Sequence, residues 1–317
     1  MLSRTALARR LCGCRVLTSL CPASATSSTP LPLRRQLHHG GSNQTQGPAR
    51  STHLDEQGGL KAVSFSGAGW LLPFHLGVLD GMRDAGLITD RTIFAGCSGG
   101  ALAACSAAAQ LHTGHLVDLS VSLGEQCRID NRWLKGKSGM YLSQGLEDLI
   151  TDDMPAKVEG KALIAVTFVP DWRLDTQLIS SFRDRHDLIE ALMASCHVPL
   201  YMDGKFFTRF RNRRAIDGGI PGFIPVSDTL FPDAVNVCAL PPVVMAGRGI
   251  PVHVGPHLQD RLNLSLQELL AMAFRPPPTH MVHALYQSGH QSASVFIEQQ
   301  ALAKPTATST GPAPTRE

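Results

Sequence analysis

The sequence lacks the features that mark membrane-spanning, metal-binding and disulfide-stapled proteins. No run reaches the roughly 18 uninterrupted apolar residues that would span a bilayer as a helix. No C-x-x-C pair occurs among the 8 cysteines, so neither a zinc site nor a disulfide framework is indicated. The formal net charge of +3 is too small to suggest nucleic acid as a partner.

What remains is the composition of a globular protein. Hydrophobic residues make up 43% of the chain and charged residues 17%, which permits a substantial core and excludes wholesale disorder. Five scattered cysteines follow the N-terminal segment, and each is expected to be a small buried apolar residue. They are Cys97, Cys105, Cys127, Cys196 and Cys238.

The N-terminal segment has no acidic residue before Asp55 and is rich in arginine, serine and threonine. This composition is typical of organelle transit peptides. Arg9, Arg10 and Arg15 interrupt the apolar stretch that a secretory signal requires. We therefore predict a transit peptide or a disordered segment over residues 1–58, with the mitochondrion as destination and the chloroplast as the second choice.

Residues 59–302 have the length of one domain, and the Pro-, Thr- and Ala-rich residues 303–317 are predicted to form a disordered tail. Within the domain, strand and helix patterns alternate. Strands are predicted at 61–66, 92–95, 162–169, 214–216 and 234–240. Helices are predicted at 70–85, 99–111 and 187–196. This order favours an α/β fold with a mostly parallel sheet and helices on both faces.

A G-x-S-x-G pentapeptide, Gly96-Cys97-Ser98-Gly99-Gly100, lies between a short apolar strand and an alanine-rich helix. At such a turn a serine is held in a strained backbone with its hydroxyl exposed above the sheet. The flanking glycines avoid collisions with the neighbouring strand and helix. The context predicts a nucleophilic Ser98, although a closely packed glycine turn without function is the alternative.

A second glycine-rich loop, Gly67-Ala68-Gly69-Trp70, follows the first predicted strand. A dinucleotide site requires G-x-G-x-x-G, but Leu72 stands where the third glycine belongs. The favoured interpretation is an oxyanion loop whose amides hold a carbonyl oxygen of the substrate. A nucleotide-binding protein remains the less favoured alternative.

A nucleophilic serine needs a base, and Asp217-Gly218-Gly219 ends a strand-like segment. Glycines after an aspartate allow another residue to approach it closely, and partial burial raises the basicity of a carboxylate. A plain Asp-Gly turn is the alternative. None of the late histidines, His253, His257, His280, His283 and His290, sits in a compelling turn after a strand. The cluster His280, His283 and His290 is predicted to lie on a surface helix.

Together the three motifs resemble the patatin-like phospholipases, in particular the adipose triglyceride lipase and adiponutrin branch. The similar stretches are VSFSGAGWLLPFHLGVLDGMRDAG, FAGCSGGALAACSAA, and ALMASCHVPLY before AIDGG. The resemblance implies a three-layer α/β/α sandwich and a serine carboxylic-ester hydrolase with a Ser98–Asp217 dyad. It implies neither a catalytic histidine nor a metal or other cofactor.

The implied activity is cleavage of fatty-acyl esters of glycerolipids, triacylglycerol or phospholipid, at a membrane or lipid-droplet surface. Two stretches are candidates for contact with that surface: the apolar flank Trp70, Leu71, Leu72, Phe74 and Leu76, and the aromatic and basic residues 206–214. Core packing is the alternative for the first stretch and a solvated loop for the second. A catalytically weak lipid-binding relative and an acyl-transferring relative are the alternative functions. The oligomeric state is not indicated.

Overall fold

A computed structural model of the chain describes residues 53–130, 136, 138–225, 232–246, 249–256 and 264–302. The predicted transit peptide, up to residue 52, and the predicted tail from residue 303 lie outside the described residues, as does His257. Those two predictions therefore stay predictions. No helix in the described ranges combines the length and the hydropathy needed to cross a bilayer.

Within the described residues seven strands form one sheet. They are β1 Ala62–Phe65, β2 Ile93–Cys97, β3 Ala162–Phe168, β4 Asp175–Ile179, β5 Thr208–Phe210, β6 Arg213–Asp217 and β7 Val235–Val237. Hydrogen-bonded neighbours follow the path β5-β6-β3-β2-β1-β7, in which β2 and β6 pair with successive parts of one edge of β3, and β4 pairs with its other edge. Strands β3, β2, β1 and β7 run parallel, whereas β4 and β6 are antiparallel to β3.

Helices flank this sheet. They are α1 Leu72–Asp84, α2 Gly99–Ala108, α3 Thr113–Ile129, α4 Ser138–Leu149, α5 Met154–Val158, α6 Arg185–Ser195, α7 Val243–Ala246, α8 Leu266–Phe274 and α9 Thr279–Leu302. Short 3₁₀ turns occupy Gly69–Leu71 and Pro170–Trp172. The α/β class and the parallel core of the sheet are thereby confirmed.

Burial explains which strands the sequence predicts. Strands β1, β3 and β7 are buried along their whole length, and β2 is buried after its first residue. Strands covered on both faces have near-continuous apolar runs, which are easily recognised in a sequence. Strand β4 is only partly buried and β5 has three residues, so neither stands out as an apolar run.

Helix α9 packs along α1 at very short range. A Cβ added at Gly77 would lie 1.9 Å from the carbonyl oxygen of Tyr286, and one added at Gly289 would lie 2.0 Å from that of Phe74. The two backbones therefore touch, and only glycine fits at these positions. The glycine loop that precedes α1 is contacted by α8, since a Cβ at Gly69 would lie 2.0 Å from the Ala273 carbonyl oxygen.

The contacts of the domain begin at the first described residues. The His53 ring is hydrogen-bonded to the Asp233 carbonyl at 2.8 Å, and Arg91 forms an ion pair with Asp55 at 2.6 Å. Residues 53–58, assigned above to the N-terminal segment, therefore already contact the domain.

Candidate active site

Ser98 and Asp217 are brought together at one edge of β3. Strand β2 ends at Cys97, which pairs with Ala165, and β6 ends at Asp217, which pairs with Val166. Strand β4 pairs with β3 over these same residues and so occupies its other edge. Strands β2 and β6 therefore meet end to end, and the nucleophile follows one while the carboxylate ends the other.

The predicted elbow is present at the junction of β2 and α2. Ser98 has φ 53° and ψ −130°, a backbone conformation that residues other than glycine adopt only with strain. A Cβ at Gly96 would lie 2.0 Å from the Gly100 carbonyl oxygen, and one at Gly100 would lie 2.3 Å from that of Ser66. The turn closes only because both positions are glycine.

The Asp217 side chain is 4% exposed, and its Oδ1 accepts a hydrogen bond from the Gly219 amide at 2.7 Å. Its Oδ2 is buried and has no hydrogen-bond partner among the described residues. Burial raises the pKa of Asp217 to about 6, while the Ser98 hydroxyl and the Gly219 amide both act to lower it. The Ser98 hydroxyl is thus close enough to the Asp217 carboxyl to lower its pKa.

Two glycines after the carboxylate allow this close approach. A Cβ at Gly218 would lie 2.0 Å from the carbonyl oxygen of Ala165, and one at Gly219 would lie 3.1 Å from Cys97 Sγ. The glycine pair therefore lets the Asp217 loop lie directly on β3 and on the end of β2.

The glycine loop after β1 lies against the elbow, since a Cβ at Gly99 would be 3.0 Å from the Gly69 amide nitrogen. Gly67 lines the cavity, but its amide donates to the Phe223 carbonyl at 2.8 Å. That bond corrects the expectation that Gly67 supplies an oxyanion donor. Its contribution is the absence of a side chain, because a Cβ there would lie 3.2 Å from the Phe223 ring.

The other three predicted donors have different surroundings. The Leu71 amide donates to the Ala68 carbonyl at 3.0 Å and so closes the 3₁₀ turn. The amides of Ala68, Gly69 and Trp70 precede that bond and donate to no carbonyl within the described part of the chain. Free amides at the start of a helical turn suit a developing oxyanion.

A cavity of about 410 Å³ opens beside Ser98 and Asp217. Leucine is the most frequent residue type in its walls, and α2, α3 and α4 supply several of these side chains. Among them are Leu102, Leu116, Leu119, Leu123, Leu142 and Leu146. Two serines of the wall, Ser106 and Ser120, donate to carbonyl oxygens of their own helices at 2.7 Å. The cavity therefore has an apolar interior of the size that ligand sites commonly have.

Helix α8 lies over the mouth of this cavity. Ile220, Leu270 and Phe274 line the cavity and are 42%, 40% and 49% exposed. The Tyr201 hydroxyl accepts a hydrogen bond from the Trp70 indole at 3.1 Å and donates to the Phe274 carbonyl at 2.9 Å. These two bonds tie the glycine loop to α8, and the mouth has an apolar rim.

The stretches that were candidates for contact with a lipid surface divide between core and surface. Phe74 and Leu76 are fully buried, so this part of the apolar flank is core. Phe210, in the hairpin of β5 and β6, is also fully buried. Arg209 and Arg214 of the same hairpin are exposed.

The described late histidines are engaged elsewhere. His280 and His283 are exposed on α9, where His290 also lies and forms an ion pair with Asp84 at 3.0 Å. The His253 ring accepts an amide of β7 at 2.9 Å. The prediction that His280, His283 and His290 lie on a surface helix is confirmed. Their described contacts include neither Ser98 nor Asp217.

The sequence model of one protein family, described as patatin-like phospholipase, matches residues 63–230. This chain belongs to the patatin-like phospholipase family. The resemblance carried by the three glycine motifs is thereby confirmed, and the matched residues include both Ser98 and Asp217.

Curated members related to this patatin-like chain include enzymes named for acyl transfer. The 1-acylglycerol-3-phosphate O-acyltransferase Pnpla3 of Mus musculus is 26% identical over 253 residues, which cover 76% of this chain and 60% of the relative. The omega-hydroxyceramide transacylase of Homo sapiens is 27% identical over 248 residues, covering 75% and 46% respectively. The chain thus spans about half to three fifths of the length of these two relatives.

Among solved structures, that of VipD from Legionella pneumophila matches 82% of this chain and 72% of its own, with a TM-score of 0.42 and 11% identity.

Sequence reasoning missed several parts of the patatin-like site. Helices α3, α4 and α8, which line the cavity, were not predicted, because their apolar residues are interrupted by small and polar ones. Ser195 received no role, although the similar stretch ALMASCHVPLY contains it. The signal that could have identified Ser195 is its position as a polar residue at the end of a helix with an apolar face.

Proposed function

We propose that this protein hydrolyses fatty-acyl esters of glycerolipids, triacylglycerol or phospholipid, with Ser98 as nucleophile and Asp217 as base. The observation that carries the proposal is the meeting of a strained serine and a buried, basic carboxyl at the mouth of an apolar cavity. Membership of the patatin-like phospholipase family supports the same class of chemistry.

In the acylation step, the Asp217 carboxylate accepts the hydroxyl proton of Ser98 as Oγ attacks the carbonyl carbon of the ester. The free amides of Ala68, Gly69 and Trp70 stabilise the oxyanion of the tetrahedral intermediate. The intermediate then collapses, the alkoxide leaves with the proton from Asp217, and an acyl-serine ester remains.

In the deacylation step, Asp217 accepts a proton from a water molecule as the oxygen of that water attacks the acyl-serine carbonyl. Collapse of the second intermediate releases the fatty acid and returns the proton to Ser98 Oγ. The same carboxyl thus serves both halves of the reaction.

The lining of the cavity supports an acyl chain as the bound group. The hydroxyls of Ser106, Ser120 and Ser138 donate to carbonyl oxygens of the protein, so the walls offer a polar substrate few partners. A hydrocarbon chain needs none and gains free energy from leaving water. We therefore assign the leucine-lined space to the acyl chain of the substrate.

The rim of the mouth supports a lipid surface as the source of the substrate. Ile220, Leu270 and Phe274 present apolar side chains around the opening, and an aggregated lipid would cover them. The exposed Arg209 and Arg214 suit an anionic surface. A peripheral association within an organelle, suggested by the acid-poor N-terminal segment, belongs to this proposal.

Acyl transfer is the second candidate function. Two relatives are named as an acyltransferase and a transacylase. The chemistry differs only in the deacylation step, where a lipid hydroxyl replaces water as the acceptor. A catalytically weak lipid-binding protein is the remaining alternative.

The test uses a fluorophosphonate probe, which reacts with activated serines, and ester substrates of graded chain length. The wild-type protein is expected to be labelled at Ser98 and to release fatty acid, with long chains preferred. Ser98→Ala should abolish labelling and hydrolysis, and Asp217→Asn should reduce both to background, because the proton acceptor is lost. Adding a monoacylglycerol acceptor and measuring diacylglycerol separates transfer from hydrolysis.

His280→Asn, a substitution of an exposed residue on α9, serves as the control and should leave labelling and hydrolysis unchanged. A wild-type protein that the probe does not label would support the lipid-binding alternative. Full activity in Asp217→Asn would exclude the dyad.

A further inference from the structure

The C-terminal end of α6 lies between the nucleophile and the base. Ser195 is fully buried there, and its Oγ accepts a hydrogen bond from the Ser98 amide at 3.0 Å. The same hydroxyl donates to the Ala165 carbonyl of β3 at 2.7 Å. One side chain therefore joins the backbone of the elbow to the strand along which β2 and β6 meet.

The backbone around Ser195 holds the other half of the site. The Ser195 carbonyl accepts a hydrogen bond from the Gly218 amide at 3.1 Å, and the His197 carbonyl accepts one from the Asp217 amide at 2.8 Å. The end of α6 thus holds the carboxylate loop by two backbone bonds. Its hydrogen bond to the backbone of the elbow is the one made by the Ser195 hydroxyl.

These bonds also define what Ser195 does not do. Its hydroxyl donates a hydrogen bond to the Ala165 carbonyl and accepts one from the Ser98 amide, so it is not available as a second nucleophile. The Ser98 amide is equally unavailable as an oxyanion donor. The hydroxyl is placed to fix the elbow, not to react.

We propose that Ser195 is a positioning residue whose hydroxyl sets the distance between Ser98 Oγ and the Asp217 carboxylate. The proposal rests on the proposed function and adds a third residue to it. Small displacements matter in such a pair, because a misplacement of about 1 Å can cost about 100-fold in rate.

The test is Ser195→Ala, with kcat expressed per active site titrated by the fluorophosphonate probe. We expect kcat to fall by about 100-fold while KM changes little, because the acyl cavity is untouched. The midpoint of the pH–rate profile should also rise above that of the wild type. The Ser98 hydroxyl lowers the pKa of Asp217, and a displaced elbow weakens that effect. Loss of stability alone moves neither quantity.

Ser64→Ala is the matched control. Ser64 is also a buried serine, and its Oγ donates to the Pro225 carbonyl at 2.7 Å, but it lies on β1 away from the catalytic pair. It should lower the melting temperature by a similar amount and keep the wild-type kcat and pH midpoint. If Ser195→Ala does not fold, Ser195→Cys retains a weaker donor and acceptor and should give a smaller shift in the same direction.

Wild-type kcat and pH midpoint in the folded Ser195 variant would overturn the positioning role while leaving the proposed function in place. Equal losses of kcat in the Ser195 and Ser64 variants would overturn it as well. A wild-type protein without Ser98-dependent activity would instead remove the proposed function and, with it, this inference.

Discussion

At the residue scale, Ser98 combines a positive φ with a side chain that the chemistry requires. Such a conformation costs about 1–3 kcal/mol for residues other than glycine. The surrounding glycines and the bond to Ser195 maintain it. The strain is therefore located at the residue on which the proposed reaction depends.

Substitution of Ser98 by glycine should relieve this strain. We expect Ser98→Gly to be inactive and about 1 kcal/mol more stable than Ser98→Ala, since the relief exceeds the greater chain entropy that glycine brings to the unfolded state. Denaturant unfolding of the two inactive variants measures the difference. A glycine variant less stable than the alanine variant would show that the elbow is not strained.

Asp217 makes stability and activity depend on pH in opposite directions. Its pKa rises from 3.8 to about 6 on folding, so the folded state favours the protonated form. Wild-type stability should therefore fall as the pH rises from about 4 to 6, whereas the acylation rate should rise over the upper part of this range as the carboxylate forms.

Asp217→Asn removes the buried charge and retains an acceptor for the Gly219 amide. At pH 8 we expect it to be inactive and more stable than the wild type by about 3 kcal/mol, because one pKa unit corresponds to about 1.4 kcal/mol. The difference should vanish below about pH 4, where both side chains are neutral. Unfolding curves at several pH values test this, and an advantage independent of pH would contradict it.

At the scale of elements, the close contact of α1 with α9 depends on glycines that leave no room for a side chain. Gly77→Ala places a methyl group 1.9 Å from a carbonyl oxygen of α9, so the helices must separate. We expect a loss of about 2 kcal/mol or more in the free energy of unfolding.

Gly124→Ala in α3 is the matched control, because the nearest atom to its added Cβ is at 3.4 Å. Here the higher helix propensity of alanine should raise stability by up to about 1 kcal/mol. Thermal unfolding of both variants tests the pair. Equal effects would mean that α9 does not pack on α1 at this distance.

The individual strands and helices also show why the sequence predicts some elements and not others. Strands β1, β2 and β3 are buried apolar runs. A glycine-rich motif directly follows β1 and another follows β2, so each motif strengthens the prediction of the strand before it. Strand β6 was recognised through Asp217-Gly218-Gly219 at its end. Helices α3 and α8 lack such markers, and their cavity-facing residues appear in the sequence as ordinary amphipathic or apolar positions.

The residues alone offered Asp217 as a candidate base for Ser98, and the family resemblance implied that the two form a dyad. The residues are far apart in the chain, and local patterns carry no information on which strand lies beside which. The register of β2 and β6 on β3 supplies that information, and it depends on long-range pairing. The role of Ser195 was hidden for the same reason.

At the scale of the whole molecule, the five described cysteines are all buried and free, as their scattered positions suggested. Burial raises the pKa of each thiol, to about 12 for Cys105. Little thiolate is then available to react in the folded protein. The thiols therefore report on unfolding.

We expect iodoacetamide at pH 8 to leave these five cysteines unmodified in the native protein and to modify all of them in denaturant. Peptide mass spectrometry separates them from the three cysteines of the N-terminal segment. Rapid native modification of Cys196, which lines the cavity, would indicate that the site opens more widely than described.

Because β2 and β6 meet on β3, strand pairing sets the distance between Ser98 and Asp217, and the length of the chain that connects them does not. Neighbouring positions on a strand are about 3.3 Å apart, and this repeat sets the step between the two strand ends. Helices α2 to α5 form one long excursion between β2 and β3, and α2, α3 and α4 line the cavity. Since the entropy of closing such an excursion grows only slowly with its length, insertions between these helices would change what the cavity admits without altering the catalytic distance. A family built in this way is free to diversify its substrates while its chemistry stays fixed.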